Sequence, residues 1–171
     1  MKKLLASTLA LLLFVGVAVA QKFAFVDSDY ILQNIPSYNA AQQELDKASE
    51  AWEEEVAAEY TEIETMYKTY QSERVLLTDE MKKKREEEII TAERQVKELQ
   101  AKYFGPDGDL SKKRQELVKP IQDAVYKAVK ELSAEGSYAV IFDTASGASI
   151  LYSNPRYDLS DEVLEKMGYK N

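Results

Sequence analysis

From Tyr38 to Phe104 no glycine or proline interrupts the chain. A stretch of that length without a breaker, with apolar residues recurring every three or four positions, specifies extended helix. On residues 38–77 the stripe runs Tyr38, Ala41, Leu45, Ala48, Trp52, Val56, Tyr60, Ile63, Tyr67 and Tyr70. Repeated four-residue steps around Trp52–Tyr60 push the mean spacing above 3.5, which loosens any supercoil there. At about 1.5 Å per residue such a helix is a rod of roughly 60 Å. Thr78-Asp79-Glu80 then offers a fresh N-cap and an acidic first turn. A second helix is predicted from about Asp79 to Phe104, with Ile89, Ala92, Val96, Leu99 and Tyr103 on its stripe. A reversal is expected near residues 77–79. Straight continuation is the alternative, because no glycine or proline enforces a turn.

The motif FGPDGD at 104–109 is a true interruption. Pro106 disfavours helical geometry at Gly105, and Gly108 adds a second break. From Tyr103 to Leu110 is seven residues, so the stripe resumes in phase through Leu117, Ile121, Val125, Ala128 and Leu132. Either a loop joins two separate helices, or, as preferred here, a kink lies within one returning arm and makes Gly105, Pro106 and Gly108 a hinge. Pro120 adds a second bend or sits on the first turn of a restarted helix. Charge favours an antiparallel hairpin. Residues 43–73 hold ten acidic and two basic side chains, whereas 109–131 hold six basic and four acidic ones.

The flanks read differently. Phe23-Ala24-Phe25-Val26 is one short strand. Tyr138–Phe142 and Ile150–Tyr152 are β-branched or aromatic runs joined by a Ser-Gly turn, a hairpin pattern. Ser160 is placed to cap a last helix, Asp161–Met167, stopped by Gly168. A helical hairpin brings its two feet together, so the N-terminal strand lies beside the C-terminal hairpin. Residues 38–132 thus form a helical arm, and 21–37 with 133–171 a β-rich body. The fold class is α+β, mostly α.

Lys2-Lys3, the apolar Leu4–Val19 and the small-x-small Ala18-Val19-Ala20 mark residues 1–20 as an export signal cleaved before Gln21. The apolar run is short for an uncleaved membrane anchor, which takes roughly 20 residues. Removing it takes two of the 22 basic residues and none of the 30 acidic ones, so the formal charge moves from −8 to −10. General nucleic-acid binding needs clustered cations and is disfavoured. The chain has no Cys and no His, so disulfides, thiol nucleophiles and the commonest bases and metal ligands are missing. Asp27-Ser28-Asp29 and Asp107-Gly108-Asp109 lack the continuation of an EF-hand loop and read as turn and cap chemistry. Neither enzyme, metal site nor cofactor is expected. The three short strands cannot build a standard core, and Phe23, Phe25, Ile141, Phe142, Ile150 and Leu151 need cover from other copies.

With the signal, the KFAFVDSDYIL opening, the long hairpin, YAVIFDTA and YDLSDEVLEKM in this order, the chain resembles the Skp/OmpH family of periplasmic chaperones for outer-membrane proteins. The resemblance implies a homotrimer with a shared β-barrel-like core and three projecting tentacles. It also implies ATP-independent holding of unfolded outer-membrane β-barrel clients. The best-known members are strongly basic and lack an evident GPDG break, so this acidic chain departs from them twice. Its basic character is local, at Lys82, Lys83, Lys84 and Arg85 near the expected tip, where weak contact with anionic lipid is expected.

Trp52, Tyr60, Met66, Tyr67, Tyr70, Tyr103 and Phe104 crowd the arm. For Tyr60, Tyr67 and Tyr103 a coiled-coil seam competes with client contact. Met66 and Tyr70 widen the stripe beyond such a seam, and adaptable Met with amphipathic Tyr suits promiscuous apolar contact. A structural or tethering coiled-coil protein of the cell envelope is the alternative to a holdase, but it would need a long rod and an anchor.

Overall fold

The computed structural model describes residues 21–147 and 150–169. The expected export signal, and Ala148 and Ser149 between the expected Ser-Gly turn and the second hairpin strand, lie outside the described residues. In chain order the elements are β1 (Lys22–Val26), α1 (Ser28–Gln33), α2 (Pro36–Glu73), α3 (Asp79–Phe104), α4 (Asp109–Gly136), β2 (Tyr138–Asp143), a 3₁₀ turn (Pro155–Tyr157) and α5 (Ser160–Lys166). The architecture is mostly helical with a small sheet.

Local chemistry explains each start. The Asp27 carboxylate accepts a hydrogen bond from Tyr30 N at 2.9 Å and caps α1. Pro36 opens α2 at a first-turn position, where its missing N–H costs nothing. Thr78 Oγ1 accepts from Met81 N and caps α3. The chain reverses within residues 74–78, and α3 and α4 both return along α2. Distally, Val56, Ile63, Val96 and Tyr103 form one buried cluster; proximally, Ala41, Leu45 and Val118 form another. Val118, off the expected stripe, is buried where Leu117 is only half-buried. Helix α4 runs unbroken through Pro120.

Charge steers the hairpin less than the sequence suggests. One ion pair links the two arms among the described residues, Lys113 to Glu44 at 2.5 Å. Most other ion pairs join residues three or four apart on one helix, such as Arg94 to Glu98, where less side-chain freedom is lost.

The body departs from the expected hairpin. β1 and β2 pair in parallel, with Phe23 opposite Val140 and Phe25 opposite Phe142. The helical excursion supplies the long crossover that parallel strands require. Ile150–Tyr152 is not a strand, and the described sheet has two strands. Side-chain hydrogen bonds end β2 instead. Asp143 accepts from Ser28 N, Ser28 Oγ and Ala145 N at 2.8–3.1 Å, while Thr144 N and Oγ1 both donate to Val26 O. These bonds tie the end of β2 to β1 and to the start of α1, and the local bond from Ala145 N to Asp143 turns the chain away from the sheet. The far edge of β1 is met by Leu159 N, which donates to Phe25 O at 2.9 Å.

Ser160 also differs from its expected role. It is the first residue of α5, not its cap, and its Oγ accepts from Asp27 N while donating to Asp158. Ala24, Ile31, Ile35, Val125, Val163 and Leu164 centre the body core.

Candidate interaction surfaces

Strand alternation divides the sheet into two faces. Ala24 and Val26 point into the core, and Ile141 packs against it. Phe23, Val140 and Phe142 remain 40–44 % exposed on the other face beside half-buried Phe25. Phe142 lies 6.4 Å from Phe23 and 5.8 Å from Phe25, ring centre to ring centre. The expected interface set is therefore split. Phe23, Phe25 and Phe142 share a bare face, Ile141 lies behind it, Ile150 is half-buried and Leu151 is fully exposed beyond it.

Along the arm, tyrosine hydroxyls bridge the helices. Tyr67 donates to Glu93 at 2.8 Å, Tyr103 to Glu55 at 2.9 Å, Tyr60 to Gln100 at 3.4 Å, and Tyr70 to Glu86. The carboxylate that accepts each bond holds Tyr67, Tyr70 and Tyr103 above the usual phenol pKa, since it favours the protonated hydroxyl. Trp52 stacks on Tyr103 at 4.9 Å with the rings 7° apart, and Phe104 meets Tyr103 edge-on at 6.3 Å. Of the aromatic candidates, Tyr103 is thus buried seam, while Tyr60 and Tyr67 keep more than 40 % of their surface exposed.

Helical spacing separates the two flanks of the seam. About buried Ile63, Tyr60 and Tyr67 lie three back and four on, whereas Glu59 and Met66 lie four back and three on. The Tyr60 and Tyr67 rungs cross on the first flank. The second is open, with a cleft of about 450 Å³ lined by Ile63, Met66 and Ala92 and walled by Glu59, Glu62 and Glu87. A smaller cleft of about 210 Å³ shares Glu62 and Met66 and extends to Tyr70 and Ile89.

The break is a tight turn. Gly105 N donates to Ala101 O and Gly108 N to Gly105 O, each at 2.9 Å. A Cβ on Gly105 would lie 2.4 Å from Ala101 O, and one on Gly108 2.7 Å from Tyr103 O. Glycine is needed here for close backbone approach. Pairing register survives the interruption. From Glu44 to Tyr70 on α2 is 26 residues, and from their partners Lys113 to Glu86 is 27.

The tip carries a feature that stripe reading passed over. Val75 and Leu76 are 89 % and 83 % exposed, with Met81 half exposed beside them. Their signal was the apolar run Val75-Leu76-Leu77 lying off the helical period. Within the neighbouring basic cluster, Lys82 pairs with Asp79, Lys83 with Glu87 and Arg85 with Glu88. No described helix is long and apolar enough to cross a membrane.

A family model described as outer membrane protein (OmpH-like) matches residues 22–167. The chain belongs to the OmpH-like family. Among solved structures, it is similar to that of a candidate OmpH-like outer membrane chaperone from Caulobacter crescentus CB15. The TM-score is 0.67 over 86 % of this chain and 83 % of the other, at 10 % identity, a likeness of fold. An uncharacterized protein of Aquifex aeolicus (strain VF5) is 28 % identical over 155 residues, 91 % of each chain. In this OmpH-like chain the match spans β1 to α5, so the bare sheet face, the arm and its break all lie inside the family region.

Proposed function

We propose that this OmpH-like chain is an ATP-independent holdase of the periplasm, which keeps unfolded outer-membrane β-barrel proteins from aggregating. The observation that carries this reading is the open flank of the arm. A two-helix seam normally closes on itself, but here Met66 and its neighbours leave apolar surface between the helices. Holding an unfolded chain takes many weak apolar contacts, and a polarizable Met beside amphipathic Tyr suits them. Tyr70 supplies the aromatic part of that flank, Trp52, Tyr60, Tyr67 and Phe104 add aromatic surface elsewhere on the arm, and three arms from a homotrimer would enclose a client.

The Phe23, Phe25 and Phe142 face joins the copies, and the turn at Gly105–Gly108 lets the distal arm adjust to clients of different size. Val75 and Leu76, with Lys82 to Arg85, give the tip a weak affinity for anionic lipid. The test is aggregation suppression. A urea-unfolded outer-membrane β-barrel is diluted with and without the mature protein and no nucleotide, and light scattering is followed. Suppression at about one trimer per client is the expected result, and scattering unchanged at tenfold excess overturns the proposal.

A further inference from the structure

The open flank has a polarity as well as an apolar floor. Glu59 and Glu62 stand on its α2 wall, and no ion pair among the described residues involves either. Glu87 and Glu88 stand on the α3 wall, paired with Lys83 and Arg85 at 3.9 and 3.1 Å. Both of those cations sit at the tip end, as does Lys84, the lone cation of the larger cleft. The two clefts run from Glu59 to Tyr70, about 16 Å of helix. That length takes about five residues of extended chain, whose side chains point alternately to opposite sides.

We infer that this cleft receives extended segments in which apolar residues alternate with basic ones. Resting on the holdase reading, this names the part of a client that the arm prefers. Apolar side chains enter between Ile63, Met66 and Ile89, and the intervening Lys or Arg meets Glu59 and Glu62. An acidic alternating segment would place like charges against the same wall. Exposed ion pairs are individually weak and salt-sensitive, so the apolar floor holds the segment and the wall selects it.

The test uses two fluorescent octapeptides, four Val-Lys repeats and four Val-Glu repeats, titrated with the mature protein and read by anisotropy. In low salt the Lys peptide is expected to bind at least about fivefold tighter, a ratio in keeping with two exposed charge contacts. Glu59→Gln with Glu62→Gln should bring that ratio close to one. Glu50→Gln with Glu54→Gln changes the same net charge on the same helix outside the cleft and should leave the ratio unchanged. Met66→Ser should weaken the Lys peptide several-fold. Circular dichroism confirms that each variant keeps its helix. Equal binding of the two peptides, binding of neither, or equal loss of preference in both double variants overturns the inference. The aggregation assay on the same samples judges the holdase reading separately. A protein that suppresses scattering without peptide preference loses only the cleft assignment, and one that shows the preference without suppression loses the holdase function.

Discussion

Each bridging tyrosine is held to its partner helix by one proton. Tyr67, Tyr70 and Tyr103 donate to Glu93, Glu86 and Glu55, and those acceptors raise the phenol pKa values above 10. The sign follows from linkage. The fold favours the protonated phenol, so the rungs contribute fully below the unfolded value near 10 and are lost as pH rises through the higher folded values. Arm helicity, followed at 222 nm, should hold to about pH 10 and melt at lower temperature above it. Tyr103→Phe keeps the stack on Trp52 but removes a rung. Its melting temperature at pH 8 should fall by about 2–4 °C, with a smaller further fall at alkaline pH than in the parent. These rungs were only half legible in the sequence. Position on the stripe showed which tyrosines face the other helix, but the partner carboxylates lie 16 to 48 residues away, beyond local pattern.

At the scale of elements, legibility followed length. α2, α3 and α4 were readable because a period repeated over six or more turns outweighs any single residue. α1 was missed because six residues hold too few periods, although Asp27 and Pro36 bracket it as cap and stop. The Ile150–Tyr152 strand was misread because β-propensity describes a residue's fit to a sheet and not whether an edge is free to receive it. Asp143 and Thr144 had already committed the end of β2 elsewhere. The break was visible as Gly and Pro, but its preserved register was not. Replacing Gly105, Pro106 and Gly108 together by Ala removes three helix breakers, while Cβ atoms in the native turn would collide with backbone. The segment should therefore become helical and move Tyr103 off Trp52, the chain's one tryptophan. A shifted Trp emission and a narrowed range of client sizes are the expected readouts; unchanged client range removes the hinge role. For the tip, Val75→Ser with Leu76→Ser should cut binding to vesicles containing phosphatidylglycerol several-fold, and uncharged vesicles should bind neither form. Equal vesicle binding by parent and variant would remove the apolar tip from lipid contact.

For the whole molecule, the two sides of the sheet pose unequal demands. α1, α4 and α5 cover one side, and the described residues leave Phe23, Val140 and Phe142 substantially exposed on the other. A two-stranded sheet is marginal by itself, and an uncovered aromatic face beside it favours association. The distal arm has its own buried cluster, Val56, Ile63, Val96 and Tyr103, which shares no residue with the body core, so assembly and distal-arm folding are separable. That separation makes the trimer testable. Light scattering coupled to gel filtration should give three times the mass of the mature chain at micromolar concentration. Phe25→Asp places a charge at the centre of the face, where burial without a partner costs several kcal/mol; it should yield monomer that retains most of its helical signal. Phe25→Leu keeps an apolar side chain of similar reach and should remain trimeric. If the Asp variant stays trimeric, the joint lies elsewhere. If the parent is a folded monomer, the bare face must take something other than a second copy, and the picture of three arms around a client falls with it.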